Sequence, residues 1–505
     1  MSRAGTPRAA ALALAAAGGV LHFLGFVGFG LWPLALLCLV PLWLALERVR
    51  TLRAAALVGF VFGWVSYAGG FLWMWRVVDV FLAGDVRLGA ALWTLDASWF
   101  GLRYALYAVL YALARRRGWA IALAGVPTLV AVEWLYPMLF PVYFGHALAE
   151  RVTLIQISDL GGPLLLTAVA ALLDAAVCET WRWWRGAGRP VGTWAAASLA
   201  LALTVGYGRL RIEEIDRLAA AAPTLRVGVV QGDLGVQEKG RDARRDHRHY
   251  LEQTRALLAG GAVDLIVWPE TVYTRGLRGP LPIAGAPIRE DLGVPLLFGA
   301  AFVRSDDGRR HAYNSALLVE GDGIIRSGYE KNLLIPFTEY VPLGDRLPGL
   351  AARFGSASHF TAATATPALV LGAWRIATPI CYEAVRPAFV RRMVREGDAN
   401  LLVSLANDAW FGDSQEPWLH LQMARLRAVE QRRWLVRATN SGISAVVDAN
   451  GRVVARTGLL TAENLRATVA RLEARTWYAR VGDWPGWLAA VAVAAMLWRR
   501  SGSTP

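Results

Sequence analysis

The stretch TPICYEAVRP (residues 378–387) contains Cys381, one of three cysteines in a chain of 505 residues. Residues 374–380, directly before Cys381, have the apolar character of a buried strand. A helix is predicted over about 384–396. A thiol at such a junction lies near a helix N-terminus, where the helix dipole favours the thiolate form. An inert packing cysteine is the alternative when this stretch is considered alone.

The composition of the whole chain is that of a polytopic membrane protein. Hydrophobic residues make up 55% of the chain and charged residues only 18%, and there are 22 tryptophans. A membrane helix needs about 20 apolar residues, so the second and last apolar runs are short. We predict eight spans, or seven if the first two runs form something irregular. The eight runs are 9–29, 31–47, 54–75, 87–112, 119–138, 162–181, 191–207 and 484–498.

The arginines predict the orientation of these spans. Positive charge concentrates in the loops ERVRTLR, ARRRG and RWWRGAGRP and near both termini, and an even number of spans places all of these on the cytoplasmic side. The expected organisation is membrane helices over 1–207, an extracytoplasmic domain over 208–483, and a last helix with a cytoplasmic tail over 484–505. The net charge of +14 follows these flanking arginines rather than a nucleic-acid motif, so no nucleic-acid partner is expected.

The extracytoplasmic region alternates strand-like and helix-like stretches, which predicts a layered α/β domain. Its helical stretches are about 237–258, 384–396 and 417–433. The strand-like stretches are 225–232, 263–270, 294–302, 315–331, 399–408 and 435–455.

Three polar residues in this domain suggest catalysis. Glu270 ends the apolar run VDLIVWPE, a placement suited to a general base, although a capping or solvated glutamate is equally plausible alone. Lys331 and Glu339 lie in a loop stiffened by prolines, where a surface lysine is the simpler interpretation. Cys381 is unpaired outside the cytoplasm because Cys38 and Cys178 fall within predicted membrane helices, so its persistence suggests reactivity.

Glu270, Lys331 and Cys381, in that order in one α/β domain, resemble the Glu–Lys–Cys triad of the nitrilase, or carbon–nitrogen hydrolase, superfamily. That superfamily has a four-layer αββα sandwich, and the resemblance covers about residues 225–470. It implies that Glu270 is the general base, Lys331 stabilises the tetrahedral intermediate and Cys381 is the nucleophile. The amide N–H of Tyr382 would complete the oxyanion hole.

A domain of this kind before the last of eight membrane helices resembles the layout of the apolipoprotein N-acyltransferase family. By this resemblance Glu339 is a second active-site acid, while Tyr382 and Glu383 line the site. Thr338 departs from the glycine that many relatives have there, which leaves the path of its loop less certain. The motifs that carry the resemblance are KNLLIPFTEYVPLGD (331–345), ICYE (380–383), NDAWFG (407–412), HLQMARLRAVEQRR (420–433) and RATNSGISAVVD (437–448).

The family resemblance implies a two-step acyl transfer in the bacterial inner membrane. Cys381 would take an acyl chain from a phospholipid, typically phosphatidylethanolamine, and pass it to the α-amine of the diacylglyceryl-cysteine of an apolipoprotein. The catalytic domain would lie on the periplasmic side, with both termini cytoplasmic and the chain monomeric. No cofactor is expected, and no metal, because the domain shows no His/Cys/Asp cluster with ligand spacing. The alternatives are a membrane-tethered amidase, in which water attacks the acyl-enzyme, and a non-catalytic membrane scaffold.

The loop 346–368 is apolar for a water-facing domain. It carries Leu347, Leu350, Phe354 and Phe360, and long loops of this kind are often lids or binding loops. We expect it to enter the outer leaflet and gate acyl entry. Packing on its own domain is the alternative.

Overall fold

The computed structural model describes residues 7–498 except 27, 82–83, 236–237, 307, 345, 347–348 and 350–359. The chain divides into two compact units, Met1–Ile212 with Arg480–Pro505, and Glu213–Ala479. The first unit is helical, and the second combines helices with β-strands.

The helices of the first unit are joined by turns and by two longer connections that contain 3₁₀ helices, Trp32–Leu36 and Phe144–Leu148. They are α1 (Pro7–Leu24), α2 (Leu39–Leu46), α3 (Leu52–Gly70), α4 (Met74–Phe81), α5 (Val86–Arg116), α6 (Ile121–Leu135), α7 (Val152–Ile155), α8 (Ser158–Trp184), α9 (Val191–Ala220, which continues into the second unit) and, near the end of the chain, Trp484–Trp498.

Several of these helices are apolar, which is compatible with a membrane bundle. Among the described residues, α3, α8 and α9 are long and apolar enough to cross a membrane, and four further apolar helical stretches are shorter. The predicted run 31–47 is irregular: a 3₁₀ helix, Trp32–Leu36, precedes α2. The predicted run 54–75 is also interrupted, because α3 ends at Gly70 after two consecutive glycines, which are poor helix formers.

The second unit contains two β-sheets. The first has the order β14-β1-β2-β5-β6-β7-β4, with β3 paired to β5, and the second has the order β13-β12-β11-β10-β9-β8. The strands are β1 (Thr224–Gln231), β2 (Leu265–Val267), β3 (Tyr273–Arg278), β4 (Ile283–Ala284), β5 (Leu296–Asp306), β6 (Arg309–Val319), β7 (Ile324–Glu330), β8 (Leu369–Leu371), β9 (Trp374–Ala377), β10 (Leu401–Ala406), β11 (Leu435–Thr439), β12 (Ala445–Val447), β13 (Val453–Arg456) and β14 (Glu463–Ala470).

Strand direction brings the candidate site residues to strand ends. Strands β1, β2 and β5 are parallel, and so are β9, β10 and β11. Strand β10 is buried along its whole length, as its nearly continuous apolar sequence, interrupted only by Ser404, predicts for a strand covered on both faces. Glu270 follows the carboxyl end of β2, and Cys381 follows that of β9.

Helices cover the outer face of each sheet. They are α10 (Ala243–Ala259), α11 (Ala286–Arg289), α12 (Pro387–Glu396) and α13 (Glu416–Gln431). A short helix, α14 (Trp477–Val481), spans the end of the second unit. One core cluster joins the facing sheets with α12 and α13, and another joins the first sheet with α10 and α11. Each fully buried aliphatic or aromatic side chain contributes about 1.5–3 kcal/mol to such cores. The order helix, sheet, sheet, helix confirms the predicted αββα sandwich.

Candidate active site

Glu270 and Lys331 form a buried ion pair. Glu270 lies in the turn after β2 with 7% of its surface exposed, and Lys331 directly follows β7 with 1% exposed. The Nζ atom of Lys331 lies 3.4 Å from Oε1 of Glu270 and 2.8 Å from Oε1 of Glu339. The structure therefore brings together three of the residues that the sequence indicated.

Asn314 connects the two carboxylates, and sequence reasoning missed it. Its Nδ2 atom donates to Oε1 of Glu270 at 2.7 Å and to Oε1 of Glu339 at 2.9 Å. Asn314 lies on β6, and its carbonyl accepts the N–H of Lys331 at 2.8 Å. The signal available in the sequence was a polar residue just before the apolar run ALLV (316–319) of a strand.

The charges around Lys331 keep it protonated. Burial alone lowers the pKa of its ammonium group, but the carboxylates of Glu339 and Glu270 outweigh burial, and the pKa is raised. Lys331 is therefore a fixed cation at this position rather than a proton carrier.

Cys381 begins a 3₁₀ helix, Cys381–Val385, with its backbone in the left-handed region at φ +50°. The α-helix predicted from about 384 instead starts at Pro387, where the missing N–H of proline is tolerated at a first turn. The expected thiolate stabilisation at a helix N-terminus is not found. Burial raises the pKa of the Cys381 thiol well above its usual value, the Glu270 carboxylate raises it further, and Lys331 only partly opposes them. The thiol is neutral at rest and needs a base.

Three backbone N–H groups and one hydroxyl surround the carboxylate of Glu383. Oε1 accepts the hydroxyl of Tyr329 and the N–H groups of Asn332 and Leu333, and Oε2 accepts the N–H of Ile380. Burial raises the pKa of Glu383 to about 7, although Lys331 and these hydrogen bonds oppose the shift. Glu383 thus ties the chain after Lys331 to the residue before Cys381.

Tyr382 follows Cys381 and is buried. Its hydroxyl accepts a hydrogen bond from the guanidinium of Arg386 at 3.2 Å. The same guanidinium lies 5.7 Å from the centre of the tyrosine ring. The Tyr382 side chain is therefore held by Arg386, four residues later in the chain. This contact restrains the position of Tyr382 next to Cys381.

A second lysine, Lys239, lies against the turn that carries Glu270. Its Nζ atom donates to the carbonyl of Glu270 at 2.9 Å and to Oγ1 of Thr271 at 3.0 Å. Burial lowers the pKa of Lys239 to about 8, with Glu270 opposing the shift. Sequence reasoning missed this residue because it stood in a charged stretch that resembled a solvated surface.

Asp408, Glu416 and His420 form a buried group that the sequence analysis did not anticipate. One ligand atom from each lies within 4.8 Å of the others, close enough for a metal ion. However, Oδ2 of Asp408 already pairs with the guanidinium of Arg437 at 2.6 Å. Because a buried guanidinium already pairs with the Asp408 carboxylate, these three side chains fit a hydrogen-bond network better than a metal site.

The proposed lid is described only in part. Leu347, Leu350 and Phe354 lie outside the described residues. Phe360 is partly buried, and its N–H donates to the carbonyl of Glu339 at 3.0 Å. The end of this loop therefore reaches the segment that holds Glu339.

Comparisons with known proteins agree with this architecture. Residues 226–479 match the family described as carbon-nitrogen hydrolase, and residues 18–176 match the apolipoprotein N-acyltransferase N-terminal domain. A curated apolipoprotein N-acyltransferase from Azotobacter vinelandii is 34% identical over 96% of this chain and 94% of its own length. The chain belongs to the apolipoprotein N-acyltransferase family. A second member, from Geobacter metallireducens, is 30% identical over 96% of this chain and 95% of its own length.

Among solved structures, a CN-hydrolase superfamily protein from Xanthomonas campestris is 21% identical. The match covers 49% of this chain and 91% of that one, with a TM-score of 0.37. As a member of the apolipoprotein N-acyltransferase family, the chain is an N-acyltransferase with a catalytic unit of the carbon–nitrogen hydrolase type.

Proposed function

We propose that Glu270, Lys331 and Cys381 carry out a ping-pong acyl transfer through a thioester on Cys381. The supporting observation is the buried ion pair of Lys331 with Glu270 and Glu339, whose charges all act on the Cys381 thiol. The donor is a phospholipid, with phosphatidylethanolamine the expected form. The acceptor is the α-amine of the diacylglyceryl-cysteine at the N-terminus of an apolipoprotein.

In the first half-reaction, Glu270 removes the thiol proton as sulfur attacks the ester carbonyl of the phospholipid. Because the pKa of this thiol is raised, attack and proton removal occur together rather than from a stored thiolate. The S–C bond forms, the ester C–O bond breaks, and Glu270 returns the proton to the departing alkoxide. The products are a thioester and a lysophospholipid.

The negative oxygen that develops during each attack needs fixed positive partners. Lys331 is suited to this role because its ammonium is buried, protonated and already positioned by two carboxylates. The amide N–H of Tyr382 is the second proposed donor. Asn314 and Glu339 hold Lys331 and Glu270 in register and do not transfer protons in this scheme.

In the second half-reaction, the acceptor amine attacks the thioester carbonyl and Glu270 takes the amine proton. The new N–C bond forms, the C–S bond breaks, and the proton returns to sulfur. A thioester reacts readily with an amine, so an amide is the expected product. Transfer is favoured over hydrolysis because the family members are N-acyltransferases and the chain carries apolar helices that a hydrolase of soluble amides does not need.

The location follows from the same proposal. The helical unit lies in the bacterial inner membrane with both termini in the cytoplasm, and residues 208–483 lie on the periplasmic side, where the lipid substrates are exposed. The arginine-rich loops support this orientation. A monomer is sufficient for the proposed chemistry, since Glu270, Lys331 and Cys381 come from one chain.

The test supplies the purified full-length protein with a phospholipid carrying a labelled acyl chain, and then with a diacylated lipopeptide. Intact-mass measurement should show one labelled acyl adduct on Cys381, which disappears as N-acylated peptide forms. Free labelled fatty acid without acylated peptide would instead support the amidase alternative. Absence of any adduct would support the scaffold alternative.

A further inference from the structure

The carbonyl of Cys381 is held by a buried histidine. The Nε2 atom of His420 lies 3.3 Å from this oxygen, and Nδ1 lies 2.9 Å from Oδ1 of Asp408. His420 is 4% exposed and Asp408 is 1% exposed. The contact is therefore shielded from water and connects the nucleophile to the NDAWFG segment.

Both partners of His420 are acceptors. A backbone carbonyl has no proton to donate, and Asp408 is ionised: burial opposes ionisation, but Arg437 and His420 outweigh it and lower the pKa of this carboxyl. The Cys381 carbonyl can only accept, so the Nε2 atom of His420 must carry a proton to make this contact.

The charged groups that face His420 come from three elements. Asp408 lies in the 3₁₀ helix Asp408–Phe411, Arg437 on β11, and Glu416 one turn earlier on α13, with its Oε1 4.0 Å from Nδ1. Burial and the charge of Asp408 raise the pKa of Glu416 well above its usual value. Asp408 is thus the anion that contacts Nδ1 of His420 directly, and it is shared with Arg437.

Fixing the Cys381 carbonyl also fixes an N–H group. The carbonyl of Cys381 and the N–H of Tyr382 belong to one planar peptide unit and point in opposite directions. A hydrogen bond that holds the carbonyl therefore sets the direction of the N–H. The left-handed backbone of Cys381, at φ +50°, costs free energy for a non-glycine residue and needs such support.

We propose that His420, with Asp408, is a positioning pair that grips the Cys381 carbonyl and so aims the Tyr382 N–H at the developing oxyanion. This inference rests on the proposed function, in which that N–H is an oxyanion donor. His420 does not touch the reacting atoms. It acts through the peptide unit that follows the nucleophile.

The test compares two replacements of His420 in the full-length protein. His420→Gln keeps an N–H donor, whereas His420→Met fills similar space without a donor. The rate of acyl-enzyme formation is measured by intact mass across phospholipid concentrations. Gln422→Leu, on the same helix, is the matched control, because Gln422 is also buried but its side chain accepts a hydrogen bond from Arg425.

His420→Met should lower the maximal acylation rate about 10- to 100-fold with little change in the half-saturating phospholipid concentration. His420→Gln should recover most of that rate. Thermal unfolding of each variant identifies any loss of fold, in which case the His420→Gln rate provides the test.

Equal acylation rates for His420→Met and the wild type would overturn the positioning role, as would a His420→Gln variant as slow as His420→Met. These results differ from a failure of the proposed function. If the wild type formed no adduct, or Cys381→Ala still formed one, the thioester scheme itself would be wrong and this inference would fall with it.

Discussion

The ammonium nitrogen of Lys331 lies 2.8 Å from Oε1 of Glu339 in a site where both side chains are largely buried. The other oxygen of Glu339 accepts the N–H of Ile335 at 2.9 Å. In Glu339→Gln, the amide N–H₂ would face one of these two donors, and the negative charge next to Lys331 would be lost. Breaking a buried ion pair in this way costs about 3–5 kcal/mol. We expect a lower unfolding temperature and a slower acylation rate.

Glu339→Asp is the control that separates loss of the negative charge from a change in side-chain length. It keeps the carboxylate but shortens it by one methylene, so its loss of stability should be smaller than that of Glu339→Gln. Thermal unfolding and acyl-enzyme formation are measured on the same preparations. If Glu339→Gln unfolded and acylated like the wild type, the ion pair would have no structural role.

Asn314 should matter for catalysis although it is neither acid nor base. Its amide donates to both Glu270 and Glu339, and losing hydrogen bonds to charged groups costs about 1.5–3 kcal/mol each. Asn314→Ala should therefore slow acylation, and Asn314→Asp should slow it more, because a third carboxylate would repel the other two. Asn464→Ala, which loses a hydrogen bond to Gln253 elsewhere in the unit, should leave the acylation rate unchanged.

The sequence predicts those parts of this site that depend on neighbouring residues in the chain, and not those that depend on contacts between distant segments. The strands that carry Glu270 and Cys381 are recognisable because a buried strand is a continuous apolar run bounded by breakers. Asn314 is different. It reaches Glu270 across 44 residues only because β6 pairs with β5, which pairs with β2. Such a register is not a local property of the sequence.

The same limit explains the errors at Cys381. The sequence predicts a helix after Cys381, but it does not show that the chain first makes a left-handed turn and a 3₁₀ helix. Burial of the thiol depends on residues from both sheets. The pKa of the thiol is raised mainly by this burial, so the thiolate that the sequence predicted is not favoured. His420 lies 39 residues from Cys381, and its contact also arises from tertiary packing.

Alkylation of Cys381 should continue to increase with pH beyond the range of an ordinary thiol. Only the thiolate reacts, and burial with the nearby Glu270 carboxylate raises the pKa of this thiol. The thiolate fraction then grows with pH through pH 9 without a plateau. Peptide mass spectrometry after iodoacetamide treatment measures the rate at Cys381 alone.

Two variants separate the charge of Glu270 from its role as a base. Glu270→Gln removes a negative charge and should move the alkylation curve to lower pH, even though acyl transfer is lost. Lys331→Met removes the opposing cation and should move the curve to higher pH. A wild-type plateau near neutral pH would show that the thiol is stored as a thiolate, contrary to the proposed first step.

The segment that holds Glu339 also exposes large apolar side chains, which suits it to contact acyl chains. Phe337 is 44% exposed and Leu343 60% exposed, and both have left-handed backbones, at φ +64° and +58°. The double replacement Phe337→Ser, Leu343→Ser should slow acylation by a long-chain phospholipid about tenfold or more, since each buried side chain contributes about 1.5–3 kcal/mol. Acylation by a short soluble ester should change little. Val454→Ser, another exposed apolar position, should affect neither donor. Equal slowing of both donors by the double replacement would mean that this segment acts on the chemistry of the site rather than on recognition of the acyl chain.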